Sequence, residues 1–131
     1  MSERRARVRV VRPDDLDWKE SMTYTDETDP PGQEALVLES ADEKFSTGVW
    51  RRDVQRRHFE RQYHEVAVIL EGVVEITEDD GEVHVAKAGD ILVTPRGSSG
   101  FWKNLTPVRK VWAIYEEAGP EMQAYIGPGA F

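Results

Sequence analysis

Short runs of alternating apolar and polar residues, cut at close intervals by Gly, Pro and Asp, dominate the chain. Period-2 alternation bounded by turn residues marks half-buried strands rather than helices. It predicts strands over residues 7–11, 35–39, 47–54, 65–70, 73–78, 82–86, 90–94, 99–104 and 109–115. Asp79-Asp80-Gly81 separates two such runs and predicts a hairpin, because Gly accepts the positive φ that tight turns require. Gly72 divides one strand from the next, and Pro95-Arg96-Gly97 must end the strand carrying Ile91, Leu92 and Val93. Helical signals are sparse. Pro13 to Trp18 reads as a single turn opened by acidic residues, 23–33 as a polar connector around Pro30-Pro31-Gly32, and the tail ending in Gly127-Pro128-Gly129 as an arm. The expected architecture is all-β: an N-terminal arm with one added strand over 1–33, a barrel over 34–116 and a C-terminal arm over 117–131.

Composition narrows the function classes. At 131 residues the chain is long enough for one domain with its own core and too short for two ordinary ones. It has no Cys, which removes disulfides, thiolate metal sites and cysteine nucleophiles together. A net charge of −8 argues against nucleic-acid binding, and the arginines between 51 and 61 are interleaved with Asp53 and Glu60 as on a solvated strand face. Neither a signal-peptide-like apolar run nor a membrane-length segment occurs, so the expectation is a cytoplasmic protein with no membrane partner. Ser98 and Ser99 have no His at a recognisable spacing, and no phosphate-cradling glycine loop is present.

Several spaced elements agree on one barrel type. Gly89 to Asn104, with Pro95, Gly97 and Asn104, fits the pattern G-x5-P-x-G-x2-H-x3-N except that Gly100 stands at the His position. Glu65-x6-Gly72 fits the end of G-x5-H-x-H-x3-4-E-x6-G, with Phe59 and Arg61 at its two His positions. Gly48-Val49-Trp50, Trp102 and Val108-Arg109-Lys110 add to the match. Over about residues 34–116 the chain resembles the cupin superfamily, RmlC-like jelly rolls, and in particular small single-domain cupins related to (S)-ureidoglycine aminohydrolase. The resemblance implies a double-stranded β-helix enclosing a small-molecule pocket, and a homodimer paired through sheets. In such a dimer Val66, Val68 and Leu70 would be covered, while Ala67 and Ile69 face inward.

The resemblance also implies a metal site, and the residues argue against it. Strand residues two apart point the same way, and the resemblance implies that its motif positions face inward, a set that here reads Phe59, Arg61, Glu65 and Gly100. A guanidinium repels cations and one carboxylate makes a poor transition-metal site, so no cofactor is expected. The alternative register uses His58, Glu60 and His64, spaced as the aminohydrolase relatives space their ligands, to hold manganese, zinc or iron. It requires a β-bulge between His64 and Gly72. In the metal-free register Glu65 is the candidate general base, or else half of a buried pair with Arg61. Arg61 and Lys110 are candidate ligand-binding cations, and Phe59, Trp50 and Trp102 a candidate aromatic wall. His84 reads as a surface or interface residue. The leading expectation is a small-molecule-binding barrel for an anionic or amide-bearing metabolite, with acid–base chemistry open. The alternatives are a metal-dependent aminohydrolase-like enzyme and a non-enzymatic sensor or partner-binding module.

Overall fold

The computed structural model describes residues 6–20 and 32–117. After a single 3-10 turn at Pro13–Asp15, ten strands follow among the described residues. They are β1 (Lys19–Glu20), β2 (Gln33–Glu39), β3 (Phe45–Arg52), β4 (Gln55–Glu60), β5 (His64–Glu71), β6 (Val73–Glu78), β7 (Val83–Lys87), β8 (Ile91–Thr94), β9 (Ser99–Asn104) and β10 (Val108–Tyr115). They form two antiparallel sheets, one ordered β1-β2-β3-β10-β5-β8 and the other β4-β9-β6-β7. The result is the all-β architecture that the alternation implies, arranged as the jelly-roll barrel that the resemblance implies. No helix among the described residues is long and apolar enough to cross a membrane.

Between the sheets lies one core that includes Trp50, Phe59, Tyr63, Ile69, Val74, Ile76, Trp102, Trp112 and Ile114. Each large apolar side chain withdrawn from water there contributes about 1.5–3 kcal/mol, which offsets the ordering of a strand-rich chain. Trp102 meets both Trp50 and Phe59 edge to face, with ring centroids 6.2 and 6.4 Å apart, so the aromatic wall is a packed cluster.

Turn chemistry sets the connections. The β6–β7 hairpin runs from Val73 opposite Lys87 to Thr77 opposite Val83, and its tip holds Gly81 at φ 97°. Gly72 has φ 88°, and a Cβ there would lie 2.1 Å from the Pro107 carbonyl oxygen, so only glycine fits between β5 and β6. β8 ends at Thr94, and the Pro95–Ser98 turn closes when the Ser98 N–H donates to the Pro95 carbonyl.

Several expected elements differ. Residues 7–11 form no strand: Val8 and Val10 are exposed and no neighbour supplies a ladder, so alternation alone does not build one there. The added strand is β1 instead. The expected strand over 47–54 stops at Arg52, and after Asp53-Val54 the chain enters the second sheet as β4. Residues 58–65 are likewise two strands in different sheets, broken at Arg61-Gln62-Tyr63. The connector over 23–33 lies outside the described residues up to 31, as does the C-terminal arm from 118.

Val66 and Val68 do point outward, beside Val93 and Ile91 on β8, while Ala67 and Ile69 are buried. Leu70 breaks the alternation. Arg109 pairs with Glu71 and Lys110 with Ile69, which leaves Leu70 as an extra residue in β5. A bulge therefore exists between Glu65 and Gly72. It falls after Ile69, so it leaves Glu65 facing inward.

Candidate functional site

Arg61 leads the chain from β4 to β5, and its backbone fixes its direction. Its N–H donates to the Ser98 carbonyl, and its own carbonyl accepts from the Gly97 N–H. Held between these turns, the guanidinium enters the barrel, 2% exposed. There Arg61 Nη2 lies 2.7 Å from Glu65 Oε2, and Lys110 Nζ donates to Glu65 Oε1 at 2.9 Å. Thr94, directly opposite Glu65 on β8, accepts from Arg61 Nε at 3.0 Å and donates to Glu65 Oε2 at 3.4 Å. One carboxylate thus receives a guanidinium, an ammonium and a hydroxyl, all buried.

Aromatic faces enclose the cations. Lys110 Nζ is 4.3 Å from the Trp102 ring centroid and 4.9 Å from that of Trp50, and the Arg61 guanidinium is 4.9 Å from Phe59. Burial pushes the Glu65 carboxyl up, but Arg61 and then Lys110 outweigh it and hold Glu65 below its ordinary 4.5. Burial lowers the Lys110 ammonium, opposed by Glu65 and reinforced by Arg61. Burial raises the Glu34 carboxyl on β2, two strands from Lys110, whose charge partly opposes the rise. A carboxylate held ionised between two cations is a weak base.

Beside the cluster a cavity of about 530 Å³ opens at the barrel mouth. Phe59, Ile76, Ala86 and Leu92 give it apolar walls, while Thr94 and Ser98 add polar groups near the ionic cluster. Glu78, His84 and Asp90 also line it. Of the side chains singled out from sequence, Phe59 lines this cavity; Arg61, Glu65, Trp50, Trp102 and Lys110 lie behind it in the packed barrel. Thr94 is the link, lining the cavity and bonding both Arg61 and Glu65.

His84 is exposed, as expected of a surface residue, and it also lines the cavity. Val83 and Val85, its neighbours on β7, are exposed. Because His84 pairs with Ile76, it shares the face of that core residue and looks toward the cavity. Its Nε2 lies 2.9 Å from Glu78 Oε2 and 3.9 Å from Glu82 Oε1. The Glu78 hydrogen bond raises its pKa above 6.5, partly opposed by desolvation and helped by the charge of Glu82.

Residues 39–112 match the EutQ-like cupin domain. The chain belongs to that cupin family. Similar solved structures include a Salmonella typhimurium LT2 protein named for ethanolamine utilization, EutQ. It is 25% identical with a TM-score of 0.59, and the match covers 66% of this chain and 70% of that one. A DUF861 family protein of Thermotoga maritima is 36% identical with a TM-score of 0.50, covering 51% of this chain and 76% of that one. The Cnp3 cupin domain of Schizosaccharomyces pombe is 17% identical with a TM-score of 0.63, covering 95% and 85%, and is alike in fold alone. No curated protein matches the chain.

The donor set of this cupin does not fit the metal that the resemblance implies. Phe59 and Gly100 offer no ligand atom, and both oxygens of Glu65 are engaged by cations. Gly100 also lies so close to β6 that a Cβ would sit 2.3 Å from the Thr77 carbonyl oxygen, leaving no room for a histidine. In effect Arg61 and Lys110 occupy the role of the cation at Glu65.

The alternative ligands do not converge. His58, Glu60 and His64 are all exposed, whereas Phe59, Arg61 and Glu65 are buried. His58 Nε2 pairs with Asp79 at 3.1 Å. His64 accepts the Arg96 N–H at Nδ1 and meets Glu117 at Nε2, so it caps the 95–97 turn from outside. The bulge that would have turned these side chains inward comes too late in β5 to do so. Among the described residues, the only group of three or more His, Asp or Glu with ligand atoms within 4.8 Å is Glu78, Glu82 and His84. Asn104 serves structure: it accepts from Trp102 Nε1 at 2.8 Å and donates to the Arg52 and Asp53 carbonyls.

Proposed function

We propose that this cupin binds a small metabolite at the mouth of its barrel and does so without a barrel metal. The observation that carries this reading is the cavity of about 530 Å³ set against the Arg61–Glu65–Lys110 cluster through Thr94. Its size suits a small ligand, and its apolar walls with a few convergent polar groups are the usual make-up of such sites. Arg61, Glu65 and Lys110 act from behind, polarising Thr94 and fixing its hydroxyl; Phe59 supplies the contact surface.

The rim chemistry favours an amide or a small ammonium group over the free anion that Arg61 alone would suggest. Glu78 and Asp90 offer carboxylates, and His84 offers a ring nitrogen. The EutQ relative is named for ethanolamine utilization, and an amino alcohol is a chemically apt first probe for this rim. A metal-dependent, aminohydrolase-like reaction would need ligands that His58, Glu60 and His64 do not bring together, so we propose binding without metal-assisted hydrolysis. Titration of isotope-labelled protein with ethanolamine, acetamide and urea tests the reading. Saturable amide shifts at Thr94, Ser98 and His84 that vanish in Ala86→Trp support it; saturable shifts that survive Ala86→Trp, or none with any probe, refute it.

A further inference from the structure

The opposite end of the barrel carries a second crevice. Its centre is one cross-strand row on the larger sheet: Glu20 on β1, Gln33 on β2, Arg51 on β3, Arg109 on β10 and Glu71 on β5. All five line a crevice of about 430 Å³, with Pro107 and Val108 at its apolar edge. The row sits where β5 ends, and this crevice shares no lining residue with the mouth cavity, so the two sites are distinct.

Arg51 and Arg109 are direct register partners, and like charges opposite one another destabilise a ladder. Their present partners hold them apart without neutralising them well. Arg51 donates from Nε to Gln33, a neutral amide, at 2.7 Å, and its guanidinium lies 3.9 Å from the Trp18 ring centroid. Arg109 reaches Asp14 at 2.9 Å and Glu71 at 3.4 Å, but those carboxylates are 87% and 64% exposed and therefore well screened. Arg109 Nε is buried with no hydrogen-bond partner. A third guanidinium, Arg52, lines the same crevice, as do the carboxylates of Glu20, Asp53 and Glu71.

We infer that the facing pair Arg51 and Arg109 forms a binding site for a small oxyanion, a phosphate or a carboxylate. An anion there would relieve the like-charge contact, and a planar guanidinium offers paired N–H donors to two of its oxygens. Glu71 and Asp14 would compete with the ligand for Arg109, which limits the site to modest affinity in the native protein.

Titration with inorganic phosphate and with acetate, followed at the arginine Nε–H resonances and by calorimetry, tests the site. The expected result is saturable movement of the Arg51 and Arg109 signals, loss of binding in Arg109→Gln and in Arg51→Gln, and binding about five-fold tighter in Glu71→Gln. Stronger binding of phosphate than acetate identifies a phosphate-bearing ligand, and the reverse a carboxylate. The proposal is overturned if neither ion binds wild type or Glu71→Gln, or if Arg51→Gln and Arg109→Gln bind as wild type does.

Discussion

Lys110 Nζ donates to Glu65 Oε1 at 2.9 Å inside the barrel, although the Lys110 backbone is registered opposite Ile69, four residues further along β5. The lysine stem must therefore run along the barrel between Trp50 and Trp102 to reach the carboxylate. That reach places an ammonium beside Arg61 on a single acid.

Removing one member should cost far more than removing all three. Glu65→Gln strands two buried cations and should destabilise the fold by about 3–5 kcal/mol, with Lys110→Met nearer 3 kcal/mol. The triple variant Arg61→Met, Glu65→Leu, Lys110→Met should recover to within about 2 kcal/mol of wild type, because no charge is then left unpaired. Denaturant unfolding of the three proteins reads this directly. Additive losses in the triple variant would contradict the coupling.

Acid should report Glu65. Its folded pKa lies below the ordinary 4.5, so the unfolded chain takes up the proton first as pH falls. Its stabilising contribution is full above about 4.5 and is lost as pH drops through the lower folded value. Wild type should lose stability more steeply than Glu65→Gln in that window, by up to about 1.4 kcal/mol per pH unit. Parallel stability–pH curves for the two proteins would show that Glu65 is not the group responsible.

Gly100 should resist repair. Its Cβ position falls 2.3 Å from the Thr77 carbonyl oxygen and 2.8 Å from the Glu78 Cα, both backbone atoms of β6. Gly100→Ala should cost about 1–3 kcal/mol through overpacking, and Gly100→His more than that. A Gly100→His protein as stable as wild type would mean that β9 and β6 can part to admit a ligand side chain.

His84 should titrate above 6.5, and Glu78→Gln should lower that value, since the Glu78 hydrogen bond is the largest cause of the rise. An NMR pH titration of the imidazole carbons checks both points. No change in Glu78→Gln would separate the two residues and remove Glu78 from the rim chemistry.

Much of the barrel was legible from alternation and turn residues, and the inward set Phe59, Arg61 and Glu65 followed from the motif positions of the resemblance. Three features were not. The break at Arg61-Gln62-Tyr63 contains neither Gly nor Pro, and the turn is enforced instead by backbone pairing with Gly97 and Ser98. The Leu70 bulge is created by the offset between β5 and β10, a tertiary fact. His84 lies on the surface as expected, but its place on the cavity rim was not legible. Counting out from the Asp79–Gly81 hairpin would have placed it opposite Ile76.

Thr94 was also missed, because a strand-end threonine carries no signal until its cross-strand partner is known to be Glu65.

Calorimetric titration with Mn²⁺, Zn²⁺ and Fe²⁺, run on wild type and on Glu65→Gln, tests most directly whether Arg61 and Lys110 have taken the place of a barrel cation. Any binding to the Glu78, Glu82 and His84 group should be the same in both proteins and should disappear in His84→Ala. The account predicts no stoichiometric site that depends on Glu65. One equivalent of metal bound by wild type and lost in Glu65→Gln, with His84→Ala unaffected, would contradict it.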